Sequence, residues 1–326
     1  MKVLVTGASG LLGGSVARRL AARGDHVTVL QRRPSGLGLN EVLGDVTDPA
    51  AVRRAADGAE AIVHLAAKVD VVGPWSQFEA VNVGGTRTIV DAATRLGVPR
   101  LVQVSSPSVA HAGRSLVAAG ADPADPRRAR GHYSRSKAMA EVLALSAHGP
   151  QLAVIAVRPH LVWGPGDTQL VGRIVARGRM GRLAVVGSGA ALIDTTYIDN
   201  AADALVAAMD RADVAGGNAY VVSNGEPRPV ADILGAICAA ARVPGPRAHV
   251  PFPLARAAGS LVDSWWQWRD RHDDPPITRF LAEQLATAHW FDQRRTREAL
   301  AWRPAVTLDQ GFEQLAQWYR SQPDGA

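Results

Sequence analysis

The feature that most constrains the fold is a short apolar strand pattern that runs directly into a glycine-rich turn. Residues 2–6 have the alternating, β-branched apolar pattern of a short strand. The glycines Gly7, Gly10 and Gly13 follow at GxxGxxG spacing, and residues 11–23 then have helical periodicity. Glycines let a backbone pass close to a pyrophosphate, and a helix N-terminus offers free N–H groups and a positive dipole to it. Glycines also allow tight helix–strand packing, but a turn placed directly after the first strand favours a dinucleotide site.

Alternating strand and helix patterns over the first half of the chain predict an α/β fold. Strand patterns lie at residues 3–6, 27–30, 41–43, 61–65, 101–105 and 153–157, with helical patterns between most of them. This alternation predicts a doubly wound, Rossmann-like parallel sheet, in which ligands bind at the carboxyl ends of the strands. The distinctive residues at those ends are Gly7, Arg32, Asp45, His64, Ser105, Ser106 and Arg158.

Strict alternation stops after Trp163, which divides the chain into two predicted parts. Residues 1–162 are expected to form mainly the dinucleotide-binding core. Residues 163–326 are expected to form mainly a smaller C-terminal substrate lobe, interleaved with late core strands and helices. Within this second part, residues 194–200 predict a strand followed by a helix that begins near Asp199.

Composition restricts the class of protein further. The 326 residues are 47% hydrophobic and 20% charged, which argues against disorder, and no run approaches the roughly 20 uncharged apolar residues of a membrane span. The strand pattern starts directly after Met1, so we predict no signal peptide and a cytoplasmic location. The net charge of +6 is spread along the chain without a basic stripe, so we predict no nucleic-acid partner.

Metal binding is not predicted. The single cysteine, Cys238, excludes an internal disulfide and any cysteine-rich metal site. It lies in the apolar helical run DILGAICAAA, so we expect it in the core. His64 lacks neighbouring ligands at suitable spacing, and a packed histidine at a buried strand end is the better interpretation.

Tyr133 and Lys137 are the candidate chemical groups. Residues four apart on a helix project from the same face, so the phenol and the ammonium can share one pocket. The ammonium is expected to lower the pKa of the phenol, which would make Tyr133 a competent proton donor to a carbonyl that receives hydride. An isolated pair of this kind is usually a surface tyrosine beside a surface lysine, and only the preceding dinucleotide pattern favours a reductase.

The end of the second strand bears on the choice of cofactor. Sites for NAD commonly present an acidic residue there to the ribose diol, whereas this chain has Gln31, Arg32 and Arg33. Two guanidinium groups suit a 2′-phosphate, because planar forks bind phosphate oxygens in pairs. We therefore predict NADPH/NADP+ in preference to NADH, the alternative being two solvated arginines at a strand end.

Seven motifs in order resemble those of the extended short-chain dehydrogenases/reductases, and the likeness covers nearly the whole chain. They are TGASGLLG from Thr6, GDVTD from Gly44, VHLAAK from Val63, NVGGT from Asn82, VSSPSV from Val104, YSRSK from Tyr133 and RPHLVWGPGD from Arg158. Two further motifs lie downstream, TTYIDNAADAL and VVSNGEP. With them, the chain resembles one branch of this family, which holds 3β-hydroxysteroid dehydrogenases, sterol-4-carboxylate 3-dehydrogenases and bacterial olefin-biosynthesis ketoacid reductases.

The resemblance implies a role for each matching residue. Tyr133 corresponds to the catalytic acid/base and Lys137 to the residue that binds the nicotinamide ribose and tunes the tyrosine. Ser106 corresponds to the hydroxyl that holds the substrate oxygen, with Ser105 as the alternative. Besides Tyr133 and Lys137, the residues implied in cofactor binding are Gly7, Ser9, Gly10, Leu11, Leu12, Arg32, Arg33, Asp45, Val46, Leu65, Ala66, Ala67, Lys68, Pro159, Leu161 and Val162.

Several positions also have a structural interpretation. Asp45, or Asp48 before a proline, can begin the next helix, and Lys68 can reach the cofactor or face solvent. Asn82 is expected to brace the sheet or the active-site helix. His160 can face the substrate or hydrogen-bond a loop carbonyl.

The motif SSPSVAHAG points away from nucleotide sugars. Nucleotide-sugar epimerases and dehydratases of the extended class usually read SSxxVYG, and this chain has Ala110 in place of that tyrosine. Those enzymes also neutralise a substrate diphosphate, whereas the second half of this chain offers aromatic and aliphatic surface. We therefore predict a small hydrophobic ketone or alcohol substrate, of the β-keto acid or 3-keto/3β-hydroxy sterol type.

The segment after Val250 is expected to belong to the substrate lobe. Its apolar residues Leu254, Ala258, Leu261, Val262 and Trp265 are spaced for an amphipathic helix, and Trp266 and Trp268 follow. Three interpretations stay open: a lid over an apolar substrate, ordinary packing, or weak contact with a membrane surface. Residues 280–290 predict a second helix of the lobe.

The predicted function is an NADPH-dependent ketone reductase that uses Ser106, Tyr133 and Lys137. One alternative is a nucleotide-sugar epimerase or dehydratase. Another is a non-catalytic regulator that senses NADP(H), although a pure sensor needs no proton donor. The resemblance also implies a homodimer formed through the helices around Asn82 and Tyr133.

Overall fold

The fold was analysed in a computed structural model that describes residues 1–70, 73–110, 115–268, 283 and 285–322. In chain order the strands are β1 (Lys2–Thr6), β2 (His26–Gln31), β3 (Asn40–Leu43), β4 (Ala61–His64), β5 (Arg100–Val104), β6 (Leu116–Ala119), β7 (Ala153–Pro159), β8 (Val162–Trp163), β9 (Ala184–Val186), β10 (Leu192–Ile193), β11 (Thr196–Tyr197), β12 (Ala219–Val222), β13 (Arg228–Pro229), β14 (Ala248–Val250) and β15 (His289–Phe291). The α-helices are α1 (Leu11–Ala22), α2 (Pro49–Ala56), α3 (Trp75–Phe78), α4 (Gly85–Leu96), α5 (Gly131–Ser146), α6 (Val171–Arg179), α7 (Ile198–Asp210), α8 (Ala212–Ala215), α9 (Val230–Ala240), α10 (Phe252–Trp268), α11 (Arg294–Leu300) and α12 (Leu308–Ser321). A π-helical segment spans Glu79–Gly84, and a 3-10 turn spans Pro107–Val109.

Seven strands form one parallel sheet in the order β12-β7-β5-β4-β1-β2-β3. The predicted doubly wound α/β class is therefore confirmed, and all six predicted strands are present with ends within two residues of the prediction. β12 was not predicted as a strand, because it lies after Trp163, where the strict alternation of strand and helix patterns stops. The chain reverses its direction of travel across the sheet between β1 and β4, which is where such sheets bind their ligands.

Helices cover both faces of the sheet because successive strand residues point to opposite sides. On β1, Val3 and Val5 pack into a core with residues of α1 and α7. Leu4, between them, packs into the opposite core with residues of α2, α4 and α5. The period-2 pattern read from the sequence thus produces the two helical layers.

Smaller sheets, built mainly from strands of the second half of the chain, surround a further apolar cluster. One sheet has the order β13-β10-β15-β6, while β8 pairs with β11 and β9 with β14. Residues of α6, α9 and α12 form the cluster, and Cys238 is buried in it as predicted. Helix α7 begins at Ile198, one residue before the predicted start. The division of the chain at residue 162 stays a prediction.

Helix α10 confirms the helix predicted after Val250 and shows which face is exposed. Leu254 and Leu261 are 62% and 72% exposed, whereas Ala255 is buried and packs with Val186. Leu254 and Leu261 therefore do not pack in the core of the lobe. The side chains at positions 266 and 268 lie outside the described residues. Within the described part of the chain, no helix is long and apolar enough to cross a membrane.

The helix predicted at residues 280–290 is wrong at its C-terminal end. Residues 283, 285 and 286 are helical, whereas residues 289–291 form β15 between β10 and β6. Pairing with these two strands overrides the helical periodicity of the sequence. Residues 280–282 and 284 lie outside the described residues.

Candidate active site

The glycine turn after β1 is closed so tightly that two of its positions admit no side chain. Gly7 has a φ of +75°, and a Cβ built on it would lie 2.8 Å from the Ala66 backbone nitrogen. A Cβ on Gly13 would lie 2.2 Å from the Gly7 carbonyl oxygen. Helix α1 begins directly afterwards at Leu11, with Gly10 as N-cap and no side-chain cap. The turn therefore presents bare backbone and an uncapped helix N-terminus, which fit a pyrophosphate.

The end of β4 lies against this turn. The Leu65 N–H donates to the Thr6 carbonyl at 3.3 Å, and the Ala66 N–H donates to the Thr6 hydroxyl at 3.1 Å. The structure thus brings Leu65 and Ala66 beside Gly7. Of the other predicted residues of the turn, Ser9 is exposed, and Leu11 and Leu12 are partly buried.

The GDVTD segment follows β3, and its two carboxylates, Asp45 and Asp48, have different hydrogen-bond partners. Asp45 Oδ1 accepts hydrogen bonds from the N–H and the hydroxyl of Thr47, both at 2.9 Å. Asp48 caps α2 by accepting the Ala50 N–H at 2.8 Å. The helix-start interpretation is therefore confirmed for Asp48 and not for Asp45. Val46, which the resemblance also implies in cofactor binding, is buried.

Arg32 and Arg33 are exposed at the end of β2 and form no ion pair with any residue that the structure describes. Glu41 of the adjacent strand β3 was not identified from the sequence. Its carboxylate accepts the Ser35 N–H at 2.8 Å and a hydrogen bond from the Gln31 amide. The hydrogen bond from Ser35 holds the pKa of Glu41 below its usual value. The loop after the arginines thus engages this carboxylate, while both guanidinium groups stay open to an anion.

Ser105 and Ser106 follow β5 and have different surroundings, because successive extended residues point to opposite sides. Ser105 is buried, and its hydroxyl has no hydrogen-bond partner among the described residues. The Ser106 hydroxyl lies 3.0 Å from the Ser108 hydroxyl and also hydrogen-bonds the Tyr133 phenol, which offsets part of the rise that burial causes in the pKa of that phenol. Ser106 is therefore the serine that the structure brings to Tyr133.

The pKa of Tyr133 is raised, which makes the sequence-based expectation wrong in direction. Burial disfavours the phenolate and raises the pKa, and the interaction with Ser106 offsets this only in part. The Lys137 ammonium, which was expected to lower it, donates instead to the Val104 carbonyl at 2.5 Å. A phenol kept in its protonated form remains a proton donor.

Behind Lys137 on α5 lies a buried ion pair that was not predicted from the sequence. Glu141 and Arg158 join through two hydrogen bonds of 2.5 and 2.9 Å. The spacing of four between Lys137 and Glu141 could have indicated that the two share a helix face. Only the fold could show that Arg158, at the end of β7, reaches the same place.

His64 is buried in a hydrogen-bond chain at the ends of β1 and β4, which confirms the packed histidine. Its Nδ1 lies 2.7 Å from the Thr6 hydroxyl and its Nε2 lies 3.2 Å from the Thr86 hydroxyl. The Thr86 hydroxyl donates to the Asn82 carbonyl at 2.7 Å, so it accepts from Nε2–H, and Nδ1 accepts from Thr6. Burial, and then the charge of Lys137, lower the pKa of His64 to about 3, so the ring is neutral at physiological pH.

Asn82 braces the active-site helix, as predicted. Its side chain accepts the Lys68 N–H at 2.7 Å and donates to the Lys68 carbonyl at 3.1 Å. It also donates to the Ser136 hydroxyl at 2.9 Å, and that hydroxyl donates to the Tyr133 carbonyl at 2.8 Å. The Lys68 ammonium pairs with Asp70. Through Asn82, the π-helical segment therefore links the loop after β4 to the first turn of α5.

Three residues implied in cofactor binding, Pro159, Leu161 and Val162, lie at or just after the end of β7. The Ser105 N–H donates to the Val157 carbonyl at 2.7 Å, so the ends of β5 and β7 meet. Leu161 has a φ of +44°, a left-handed conformation that is uncommon for a residue with a side chain. Pro159, Leu161 and Val162 thus lie at the same edge of the sheet as the serines.

His160 is buried, and its Nε2 lies 3.1 Å from Nδ1 of His289 in β15. The ring also packs edge-on against Phe291, with ring centroids 4.9 Å apart. His289 was not identified as a partner from the sequence, because the contact joins residues 129 positions apart. It fastens the end of β7 to the small sheet of the second half.

A family model described as the NAD dependent epimerase/dehydratase family matches residues 3–223 of this chain. The matched span contains the central sheet from Val3 of β1 to the end of β12, and all three predicted catalytic residues.

Two curated relatives are similar over nearly the full chain. A 2-alkyl-3-oxoalkanoate reductase of Stenotrophomonas maltophilia is 38% identical, over 97% of this chain and 98% of the relative. A 3 beta-hydroxysteroid dehydrogenase/Delta 5→4-isomerase of Mycobacterium tuberculosis is 30% identical, over 98% of this chain and 90% of the relative. These similarities confirm the branch that the motifs resemble.

Among solved structures, the UDP-glucose 4-epimerase of Thermus thermophilus in complex with NAD is similar in fold. The TM-score is 0.73, with 23% identity over 99% of this chain and 100% of that chain. At this identity the likeness establishes the fold alone.

Proposed function

Because this chain belongs to the NAD-dependent epimerase/dehydratase family, we propose that it is a nicotinamide-dependent oxidoreductase that interconverts a ketone and a secondary alcohol on a hydrophobic substrate. The observation that carries the proposal is the meeting of Ser106, Tyr133 and Lys137 at the carboxyl edge of β5. This edge also holds the glycine turn, whose Gly7 leaves no room for a side chain.

The three residues divide the work on the substrate oxygen. When bound, the nicotinamide supplies the hydride for reduction and accepts it for oxidation. Tyr133 delivers the proton to the oxygen, and its raised pKa keeps the phenol protonated until then. Ser106 donates a hydrogen bond to the same oxygen and so stabilises the developing alkoxide. Lys137 holds the nicotinamide ribose and fixes α5 against β5.

We propose NADPH as the preferred cofactor. Exposed Arg32 and Arg33, free of ion pairs with described residues, support it because a 2′-phosphate needs cationic partners. The acidic residue that would bind a ribose diol is missing from the end of β2, and the carboxylate of Glu41 is engaged by Ser35. Comparing the Michaelis constants of NADPH and NADH tests this, and a preference for NADH would contradict it.

We propose a β-keto acid, or failing that a 3-keto or 3β-hydroxy sterol, as the substrate class. Both relatives support a ketone or alcohol on an aliphatic skeleton by their names, and the reductase is the more similar of the two. Ala110, where nucleotide-sugar enzymes usually carry a tyrosine, also supports it. The test is NADPH oxidation against long-chain β-keto acids, 3-keto steroids and nucleotide sugars. Turnover of a β-keto acid is expected, and turnover of nucleotide sugars alone would contradict the proposal.

A nucleotide-sugar epimerase or dehydratase is the second candidate, supported by the match to the NAD dependent epimerase/dehydratase family model. This candidate requires a site for the substrate diphosphate, so uridine diphosphate should stabilise the protein against heat. We expect no shift of the thermal midpoint with uridine diphosphate and a rise with NADPH.

We also propose weak contact between α10 and a membrane surface. The exposure of Leu254 and Leu261 on one face of this helix supports it. Cosedimentation with lipid vesicles is the test, and absence of binding at physiological salt would remove the proposal. A homodimer through the helices around Asn82 and Tyr133 stays a prediction.

A further inference from the structure

Helix α5 carries three ionisable residues at intervals of four: Tyr133, Lys137 and Glu141. Residues at this spacing are neighbours on one face of a helix. Lys137 is 4% exposed and Glu141 is 1% exposed, so both charges are removed from water. A charged side chain buried this deeply requires a compensating partner.

Glu141 has its partner in Arg158 at the end of β7. Arg158 Nη2 lies 2.5 Å from Oε1 and Nε lies 2.9 Å from Oε2, a bidentate pair in which Arg158 is also 1% exposed. The Nη1 group donates to the Asp122 carbonyl at 2.8 Å, in the loop that leads to α5. The pair therefore fixes α5 against β7 and that loop, and it places a carboxylate one turn from Lys137.

We infer that the Glu141–Arg158 pair is a positioning element that keeps Lys137 protonated and directed at the Val104 carbonyl, which extends the reaction to alkaline pH. This inference rests on the proposed ketone–alcohol chemistry only for its last step. Glu141 and Arg158 are thus argued to act through Lys137, not to touch the substrate.

The charged groups around Lys137 support this role. Burial lowers the pKa of Lys137 to about 8, and the charge of Glu141 raises it. Arg158 is a second buried cation on β7, whose charge Glu141 offsets. The charge of Lys137 contributes to the lowered pKa of His64 in β4, and burial, the larger cause, keeps His64 neutral. Tyr133, one turn before Lys137 on α5, is a further titratable group, and its raised pKa keeps it neutral as well.

Removing the charge of Glu141 would leave two buried cations without a carboxylate. The pKa of Lys137 would then be lowered by burial without the opposing effect of the Glu141 carboxylate, which favours the protonated form of Lys137. The midpoint at which Lys137 loses its proton should then fall into the range of neutral pH.

The chain offers a direct measurement of that midpoint. It has three lysines, Lys2, Lys68 and Lys137, so the protein labelled with ¹³C at lysine Cε gives few NMR signals, and Lys137→Arg assigns the one of interest. The wild-type midpoint is expected near 8. In Glu141→Gln it should fall by about one pH unit, and Glu141→Asp, which keeps the charge, should restore it in large part.

A second variant separates this effect from a merely structural one. Glu141→Gln leaves Arg158 unpaired and should lower the thermal midpoint, whereas Glu141→Gln/Arg158→Met removes both charges and should recover part of it. The Lys137 midpoint should stay low in both variants. Asp25→Asn is the control, because Asp25 pairs with Arg23 just ahead of β2, at the amino end of the sheet.

The outcomes are distinct. A Lys137 midpoint that changes by less than about 0.3 pH unit in Glu141→Gln, or that returns to the wild-type value in the double variant, would overturn the inference. The alkaline limb of kcat/KM for ketone reduction should move with the Lys137 midpoint. Because the titration needs no substrate, a wild-type protein inactive on every ketone would contradict the proposed function and leave the Lys137 result standing.

Discussion

The Lys137 ammonium donates a hydrogen bond of 2.5 Å to the Val104 carbonyl, the last residue of β5. Ser105 and Ser106 come directly after that carbonyl, so this single contact fixes α5 against the strand that delivers the serine. The other two N–H groups of Lys137 have no partner among the described residues. They are available for ribose hydroxyls, the role that the resemblance implies for this residue.

The two serines provide a matched pair of variants. Ser106→Ala should lower kcat for ketone reduction by about 10²–10³-fold, because it removes a hydrogen bond to the developing alkoxide. Ser105→Ala should stay near the wild-type rate, since the Ser105 hydroxyl is buried and has no hydrogen-bond partner among the described residues. Steady-state kinetics of both variants decide the assignment, and a larger loss in Ser105→Ala would reverse it.

Lys137→Met should lower the activity of the protein and raise its free energy of unfolding at pH 7. The pKa of Lys137 is lowered to about 8 from an ordinary value of 10.5, so at pH 7 the folded protein carries the cost of a buried ammonium. That cost disappears between pH 8 and 10.5, where the folded state releases the proton before the unfolded chain does. Methionine should therefore raise the free energy of unfolding at pH 7 by about 1–3 kcal/mol, and by less at higher pH.

Urea denaturation of Lys137→Met at pH 7 and pH 9.5 measures this difference. A variant that is less stable than the wild type at pH 7 would show that the hydrogen bond to Val104 outweighs the burial of the charge.

His64 should make the stability of the protein fall in mild acid. Its pKa is about 3 in the folded state and 6.5 ordinarily, so its contribution is complete above pH 6.5 and is lost as the pH falls towards 3. The slope is about 1.4 kcal/mol per pH unit, because the unfolded chain takes up one proton that the folded protein refuses. Between pH 6.5 and 5 the wild type should therefore lose about 2 kcal/mol more than His64→Gln. Equal losses in the two proteins would mean that His64 does not titrate on unfolding.

Arg32 and Arg33 should set the preference for NADPH. Replacing both by alanine should raise KM for NADPH by about 10–100-fold, since hydrogen bonds to a charged group contribute about 1.5–3 kcal/mol. KM for NADH should change little. Arg95→Ala, an exposed arginine on α4, serves as the control for loss of charge. Equal effects on both cofactors would argue that the arginines do not meet a 2′-phosphate.

Hydrophobic periodicity was sufficient to predict most of the central sheet. Six strands lie within two residues of their predicted positions, because buried parallel strands read as short apolar runs between helical patterns. The glycine turn could also be predicted from the sequence, since Gly7 and Gly13 occupy positions where any Cβ would meet backbone atoms and only glycine fits.

Features that depend on distant parts of the chain could not be read in this way. The contact of His160 with His289 and the pair of Glu141 with Arg158 require that separate strands be placed side by side. The pKa of Tyr133 was predicted in the wrong direction because spacing on a helix shows which residues are neighbours, but not how deeply they are buried. Helix α10 was predicted, whereas the exposure of its apolar residues was left open between a lid, ordinary packing and a membrane contact.

The most direct test of the Ser106–Tyr133–Lys137 assignment is NADPH oxidation with long-chain β-keto acids, measured for the wild type and for Tyr133→Phe. The wild type should turn over at least one of them. Tyr133→Phe should lose about 10²–10⁴-fold in kcat with NADPH affinity unchanged, because only the proton donor is removed. Turnover by Tyr133→Phe near the wild-type rate would contradict the assignment.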